Sequence, residues 1–438
     1  MRGLQVVVLL GSLLLNAAPT PAQDPAEPAN PPQPMQTADG QAGVSQRAFS
    51  QDRGLGKTPD DIGSLLQQTD TRVDALFPCG PFQPLYDVWK PCTDQLKDST
   101  GLDLGMNYTA IYQRVNHVRS GPKEAAGGDF DFFGNWHLWD CDECGPGSLV
   151  FSSESRHRLD NIPPEQLDTG TIGGTIVTFG AQDFSMVQLY WEQGSPDDGF
   201  LFRLGKMDSA LIWDGGRYVS SNFAFFSPAF SDTLPMPLPG AGLGLAAAVY
   251  PSEETYIAAG VHDANGERTT AGFDTFFGDG EFFTAVEFGW LPHEGETNEG
   301  LYHITLWNID ARKNIGKQSD HGVAVTLEQQ IGCEGHVVPF LRYAHAKRGI
   351  NGIRQNASVG VGWEEVCGQN YDLIGVAVSW EEPANRSLRD QYVVEAFYRF
   401  QITPLTHLTP DIQVVIDPAN SPNKDAVTVL GLRLRTLF

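Results

Sequence analysis

The chain has 438 residues, a formal net charge of -25 and 47 glycines, with 11% aromatic and 19% charged residues. An excess of 54 acidic over 29 basic side chains argues against a nucleic-acid partner, because phosphate binding needs a basic face. So low a charged fraction does not suit a disordered chain, and no phosphate-binding loop, dinucleotide fingerprint, HExxH or GxSxG motif implies a cofactor or hydrolytic chemistry.

Residues 1–22, "MRGLQVVVLLGSLLLNAAPTPA", read as a secretory signal: Arg2, a short apolar core from Leu4 to Leu15, then small residues ending at Ala22. The apolar run is too short to span a bilayer as a helix. Residues 23–75 are rich in Pro, Ala and Gln and read as a flexible leader. Residues 76–100 carry a short amphipathic helical segment, with Leu85, Val88, Trp89 and Leu96 as its apolar stripe and Pro91 as a kink.

From Gly101 to Phe438 the periodicity becomes that of strands. Stretches such as "GLDLGMNYTAIYQR", "SMVQLYWEQ", "VVPFLRYAH", "ASVGVGWEE" and "YVVEAFYRF" alternate apolar with polar and end in turn signals. About sixteen such segments of roughly ten residues fit, the length a tilted membrane strand needs. Their connections sort into short ("CDECGPG", "GSPDDG", "PSEE", "IGCEG", "EEVCGQN") and long, the pattern of an outer-membrane barrel with short periplasmic turns and long outer loops. The expected fold is therefore all-β, a transmembrane antiparallel barrel. Aromatics near strand ends, among them Trp136, Trp139, Trp290, Trp363 and Trp380, suit lipid–water girdles.

The last strand, "VTVLGLRLRTLF", places Leu430, Leu432 and Leu434 on one face and Arg433 and Arg435 on the other. On a barrel the leucines touch lipid and the arginines line a wet lumen. The same alternation turns Glu154, Arg156 and Arg158 inward, then Gln188, Tyr190 and Glu192, and also Arg203, Glu287, Glu328, Arg342, Glu395 and Arg399. A one-residue slip would invert any of these sets. Guanidinium forks, carboxylate acceptors and rings suit hydroxyl-rich solutes with apolar C–H faces; a generic polar lumen that only keeps a pore wet reads the same way.

The long loop after Lys206 carries Asp208, Trp213, Asp214 and Arg217, then the run "FAFFSPAF". Exposed phenylalanines would be an aggregation hazard, so infolding to narrow the pore is expected, against packing on outer neighbours. "GFDTFFGDGE" (Gly272 to Glu281) is a candidate opposing wall, and its carboxylates do not match a calcium loop. Six cysteines suit disulfides in an exported chain, in the near pairs Cys79 with Cys92, Cys141 with Cys144, and Cys333 with Cys367. A zinc or redox reading of "CDEC" is weaker, and no metal site is expected.

The stretch "FRLGKMDSALIWDGGRYVSSNFAFFSPAF" (Phe202 to Phe230) resembles the signature of the carbohydrate-selective porin family, OprB. "GLDLGMNYTAIYQ", "QLYWEQ", "FGDGEFFTAVEFGW" and "FYRFQITPLTHLTPDIQVVIDPAN" are similar to further pieces in family order. The resemblance implies a sixteen-stranded barrel, a pore for small sugars and diffusion without energy coupling; the charge of -25, set mainly in loops and leader, reads as a solvated surface among outer-membrane lipid and lipopolysaccharide. The final Phe438 resembles the terminal aromatic by which outer-membrane proteins are recognised for assembly. A monomer and a homo-oligomer such as a trimer both stay open, as do an outer-membrane enzyme and a barrel whose lumen is plugged by the leader.

Overall fold

The computed structural model describes residues 55–438, apart from 57, 71–72, 74, 178, 214, 293–298, 333–335 and 367–370. The signal-peptide reading, the Cys333–Cys367 pairing and Asp214 lie outside the described residues.

Sixteen antiparallel strands close into one barrel. They are β1 (Leu102–Val115), β2 (Glu124–Trp139), β3 (Gly147–Arg158), β4 (Gln182–Ser195), β5 (Phe200–Met207), β6 (Gly242–Ser252), β7 (Thr255–Asp263) and β8 (Phe282–Trp290), followed by β9 (Gly300–Ile309), β10 (Asp320–Gln329), β11 (Val337–Ala346), β12 (Ile353–Glu364), β13 (Leu373–Pro383), β14 (Gln391–Thr403), β15 (Thr406–Ile416) and β16 (Ala426–Leu437). Each strand pairs with its sequence neighbours, and β1 closes on β16 in a register running from Asn107 opposite Leu437 to Val115 opposite Val429. Closure leaves no free edge, so every strand can satisfy its backbone groups without water.

The alternation decides which face meets what. On β16, Leu430, Leu432 and Leu434 are 52%, 43% and 40% exposed on the outer wall, while Arg433 and Arg435 are buried inside. Leu189, Leu204, Leu245, Val286, Leu306 and Val378 continue the outward apolar band. Trp136, Trp139, Trp290 and Trp363 stand exposed where their strands reach the rim of short turns, as girdle aromatics do. The opposite rim carries the long connections 159–181, 208–241 and 264–281. At the seam Phe438 exchanges backbone hydrogen bonds with Met106 at 2.8 and 3.1 Å, and its ring meets Phe82 edge-on at 5.8 Å.

Two helices precede β1. The first, α1 (Ile62–Asp70), corrects the expectation of a flexible leader through residue 75. Ile62, Leu65, Leu66 and Thr69 are buried, an i, i+3, i+4, i+7 stripe that the polar composition of the leader as a whole conceals. The second, α2 (Gln83–Thr100), runs unbroken through Pro91 and ends at Gly101, whose φ of 74° lets its N–H bond the Lys97 carbonyl. Its Leu85 and Val88 are exposed rather than packed. Asp70 joins the two helices through Lys90 (2.5 Å) and Lys97 (3.0 Å). Burial alone would raise the Asp70 carboxyl, but the two ammonium groups hold it below the usual carboxylate range.

Candidate functional site

The lumen is built by inward side chains and by the loop 208–241, which folds into it. That loop contains two single-turn helices, α3 (Ala210–Trp213) and α4 (Pro228–Ser231). Phe223, Ala224, Phe225, Phe226 and Phe230 are all buried. Phe225 packs on Phe397, Phe230 and Phe340 with ring centroids 4.9, 5.1 and 5.7 Å away. The run of phenylalanines is thus an inner seat, as infolding requires.

A loop crossing a barrel brings backbone N–H and C=O groups that need partners, and the inward charges of β10–β16 provide them. Arg433 donates to the carbonyls of Ser221 (2.5 Å) and Ala224 (3.0 Å) and lies 4.6 Å over the Phe226 ring. Arg399 donates to the Phe223 and Tyr371 carbonyls and stacks 3.8 Å over the Phe223 ring. Glu395 accepts from the backbone N–H groups of Phe226 and Ser227 at 2.5 and 2.9 Å. Arg342 donates to the Phe230 carbonyl (2.8 Å) and Thr233 Oγ1 (2.7 Å). Glu328 accepts from the Arg217 N–H at 2.9 Å, and the Arg217 guanidinium pairs with Glu364 at 3.1 Å.

Several residues read from sequence as pore-lining are therefore corrected to anchors. Arg217, Arg342, Arg399 and Arg433 hold the loop and line neither of the cavities described below, because unpaired loop carbonyls cost more than free guanidinium groups gain. Trp213 is 1% exposed and donates its indole N–H to His262 Nε2 at 2.7 Å. Lys206 sits opposite Leu189 in register, on the outward face. Its ammonium turns over the rim to the Arg268 and Thr270 carbonyls at 2.7 and 2.6 Å. Arg158 stands exposed at the strand end beside the Asn161 carbonyl.

Among the described residues, two cavities open within the barrel. The one toward the long-loop rim has a volume of about 320 Å³. Of the predicted residues, Glu154, Arg156 and Asp208 line it. Glu154 pairs with Arg156 and, at 2.8 Å, with Arg268, which also reaches Asp208 at 3.1 Å. Asp129, Asp131, Gln188, Asn222 and Arg268 add to its polar wall. Of these, Asp129, Asp131 and Arg268 were missed by sequence reasoning, although the alternation of "DFDFF" places both aspartates on the face of Phe133. Asp129 Oδ1 and Asn222 Oδ1 have no hydrogen-bond partner among the described residues. Residues 272–281, the expected opposing wall, do not line this cavity; Arg268 of the same loop does.

The second cavity, about 690 Å³, opens toward the short-turn rim and is lined by Tyr190, Glu192 and Arg203 with Asp61, Asp103 and His137. Arg203 bridges Glu192 (2.6 Å) and Asp61 (3.1 Å) and lies 5.2 Å from the Tyr190 ring centroid. Arg435 is buried 3.5 Å from Asp60 and lines neither of these cavities. No group of side chains suited to a metal ion occurs among the described residues.

Cys141 and Cys144 form a disulfide in the turn after β2. That turn is also held by Gln193, whose amide donates to the Cys144, Gly145 and Pro146 carbonyls. Cys79 and Cys92 are both free and exposed, which corrects the expected bridge. Cys92 lies about nine residues along α2, roughly 14 Å of helix rise from the end that Cys79 precedes, whereas bridged Cα atoms lie within about 7 Å.

A closed sixteen-strand barrel with an apolar outer wall, a charged lumen and an infolded loop defines an outer-membrane porin, a channel rather than an enzyme. The family model of the carbohydrate-selective porins, OprB family, matches residues 151–438, and the chain belongs to that family. Porin AaxA of Chlamydia felis is 24% identical over 308 residues, covering 68% of each chain; Porin AaxA of Chlamydia abortus is 23% identical over 309 residues, 68% of this chain and 67% of its own. The high-pH structure of Pseudomonas putida OprB superposes with a TM-score of 0.66 at 14% identity, covering 80% of this chain and 97% of its own, which is a likeness of fold.

Proposed function

We propose that this porin passes small sugars passively from the outer face to the periplasm, and that the cavity of about 320 Å³ is where a sugar rests. The observation that carries the reading is chemical. Asp129 and Asn222 put acceptor groups on the wall, the Oδ1 of each enclosed and without a hydrogen-bond partner among the described residues, flanked by the Arg156 and Arg268 guanidinium groups and by Leu211, Met236 and Leu238. A polyol brings hydroxyl donors for the first, hydroxyl acceptors for the second and C–H faces for the third. Both charge signs interleave on the wall, unlike a single-sign ring that sorts ions.

The test is single-channel conductance in planar bilayers with glucose or maltose added. Sugar should reduce the ionic current in a saturable way, and Asp129→Ala with Asn222→Ala should weaken that block. A conducting channel whose current no sugar reduces refutes sugar preference and leaves a general porin.

A further inference from the structure

Segment 55–70, residue 57 apart, lies inside the barrel between the two cavities described above, whose linings share Ile62 and no other residue. Its seat is unusual for a porin wall. Inward Phe133, Val150, Tyr190 and Leu201 form an apolar patch on β2–β5, and Leu55, Ile62, Leu65 and Leu66 join them in one buried cluster. A water-filled lumen has no use for such a patch unless something covers it. The charges match as well: Asp61 meets Arg203 on β5 and Asp60 meets Arg435 on β16. The polar side of α1, with Gly63, Gln67 and Asp70, faces the periplasmic cavity. At its upper end Gly56 adopts φ +83°, and a Cβ there would overlap the Leu211 carbonyl and come within 2.9 Å of Arg203 Nη1.

We propose that segment 55–70 is a resident plug that closes the pore between these two cavities, and that release of its ion pairs and apolar stripe opens the path. This deepens the porin reading and rests on it. Solutes that fill the outer cavity touch Thr58, Asp60 and Ile62 directly, so the plug is also part of the wall they meet.

The experiment compares the full mature chain with three variants in planar bilayers, each first shown to be a folded barrel by its heat-modifiable gel mobility. Gly56→Val meets both a left-handed backbone and an occupied space, and the strand group it meets is the end of the Arg203 side chain. Asp61→Asn removes the charge opposite Arg203. Gly278→Ala, in an outer loop with open space around its would-be Cβ, is the control. The unsubstituted chain and the control should stay mostly closed, and Gly56→Val and Asp61→Asn should each raise the time-averaged conductance about tenfold or more, about 1.4 kcal/mol of seating energy per decade. Equal, steady conductance in all four chains overturns the plug and leaves the porin standing. Closed barrels in all four overturn the plug as the closing element and the conducting-pore reading with it.

Discussion

Replacing Arg433 by methionine keeps most of the volume and removes the guanidinium. Arg433 has no exposure and serves the Ser221 and Ala224 carbonyls. A hydrogen bond to a charged group contributes about 1.5–3 kcal/mol, so two give about 3–6 kcal/mol. Lumen water can reach a carbonyl that a loosened loop exposes, which places the expected loss near the lower end, about 3 kcal/mol. That corresponds to roughly a hundredfold larger fraction of open loop. Urea unfolding of the barrel in lipid should read the energy, and proteolysis within 208–241 should read the loop. Arg433→Lys should fall between, since one ammonium cannot span both carbonyls as a planar fork does. Arg354→Met removes a half-buried arginine paired with Glu382 at 3.7 Å and should cost under about 1 kcal/mol. If Arg433→Met unfolds at the same urea concentration and its loop is no easier to cut, the assignment of Arg433 as an anchor is wrong.

Trp213→Phe removes the donor to His262 and leaves a buried imidazole nitrogen unpaired, which should lower stability by about 1–3 kcal/mol; an unchanged urea midpoint contradicts the bond. Maleimide should label Cys79 and Cys92 in the folded protein without reductant, with peptide mapping as the readout, whereas Cys141 and Cys144 should react only after reduction. Asp70 has a lowered carboxyl in the fold, so its contribution is fully present above the unfolded value near pH 4 and is lost as pH falls through the lower folded value. Hydrogen exchange in α1 and α2, corrected for intrinsic rate, should therefore quicken on acidification below pH ~4. Asp70→Asn should show the faster exchange at neutral pH and no further acid response from this site.

The strands were legible because a period of two runs through most of them, as in Leu430, Leu432 and Leu434 outward and Arg433 and Arg435 inward, although β4 changes phase between Val187 and Gln188, both of them buried. Loop sidedness was legible because short turns and long loops alternate along the chain. What the inward charges do was not legible. Arg433 and Ser221 are 212 positions apart, and alternation reports direction, not partner. Lys206 misled because it lies next to the loop on which attention falls, although it shares a face with Leu189 and Leu204. A plugging leader stayed open in the sequence, but its helix and seat were not legible, because Ile62, Leu65 and Leu66 are a brief apolar stripe inside a polar stretch and the patch they meet is scattered over four strands.

The pairing of Asp60 with Arg435 has a consequence for assembly. Asp60 precedes every strand, while Arg435 belongs to the one that completes the wall. That bond cannot form until the last hairpin has zipped against the first strand, so a half-built cylinder holds its amino-terminal stopper by one ionic tie instead of two. Completion of the seam and tightening of the stopper become a single event, and a barrel still under construction stays wettable from end to end.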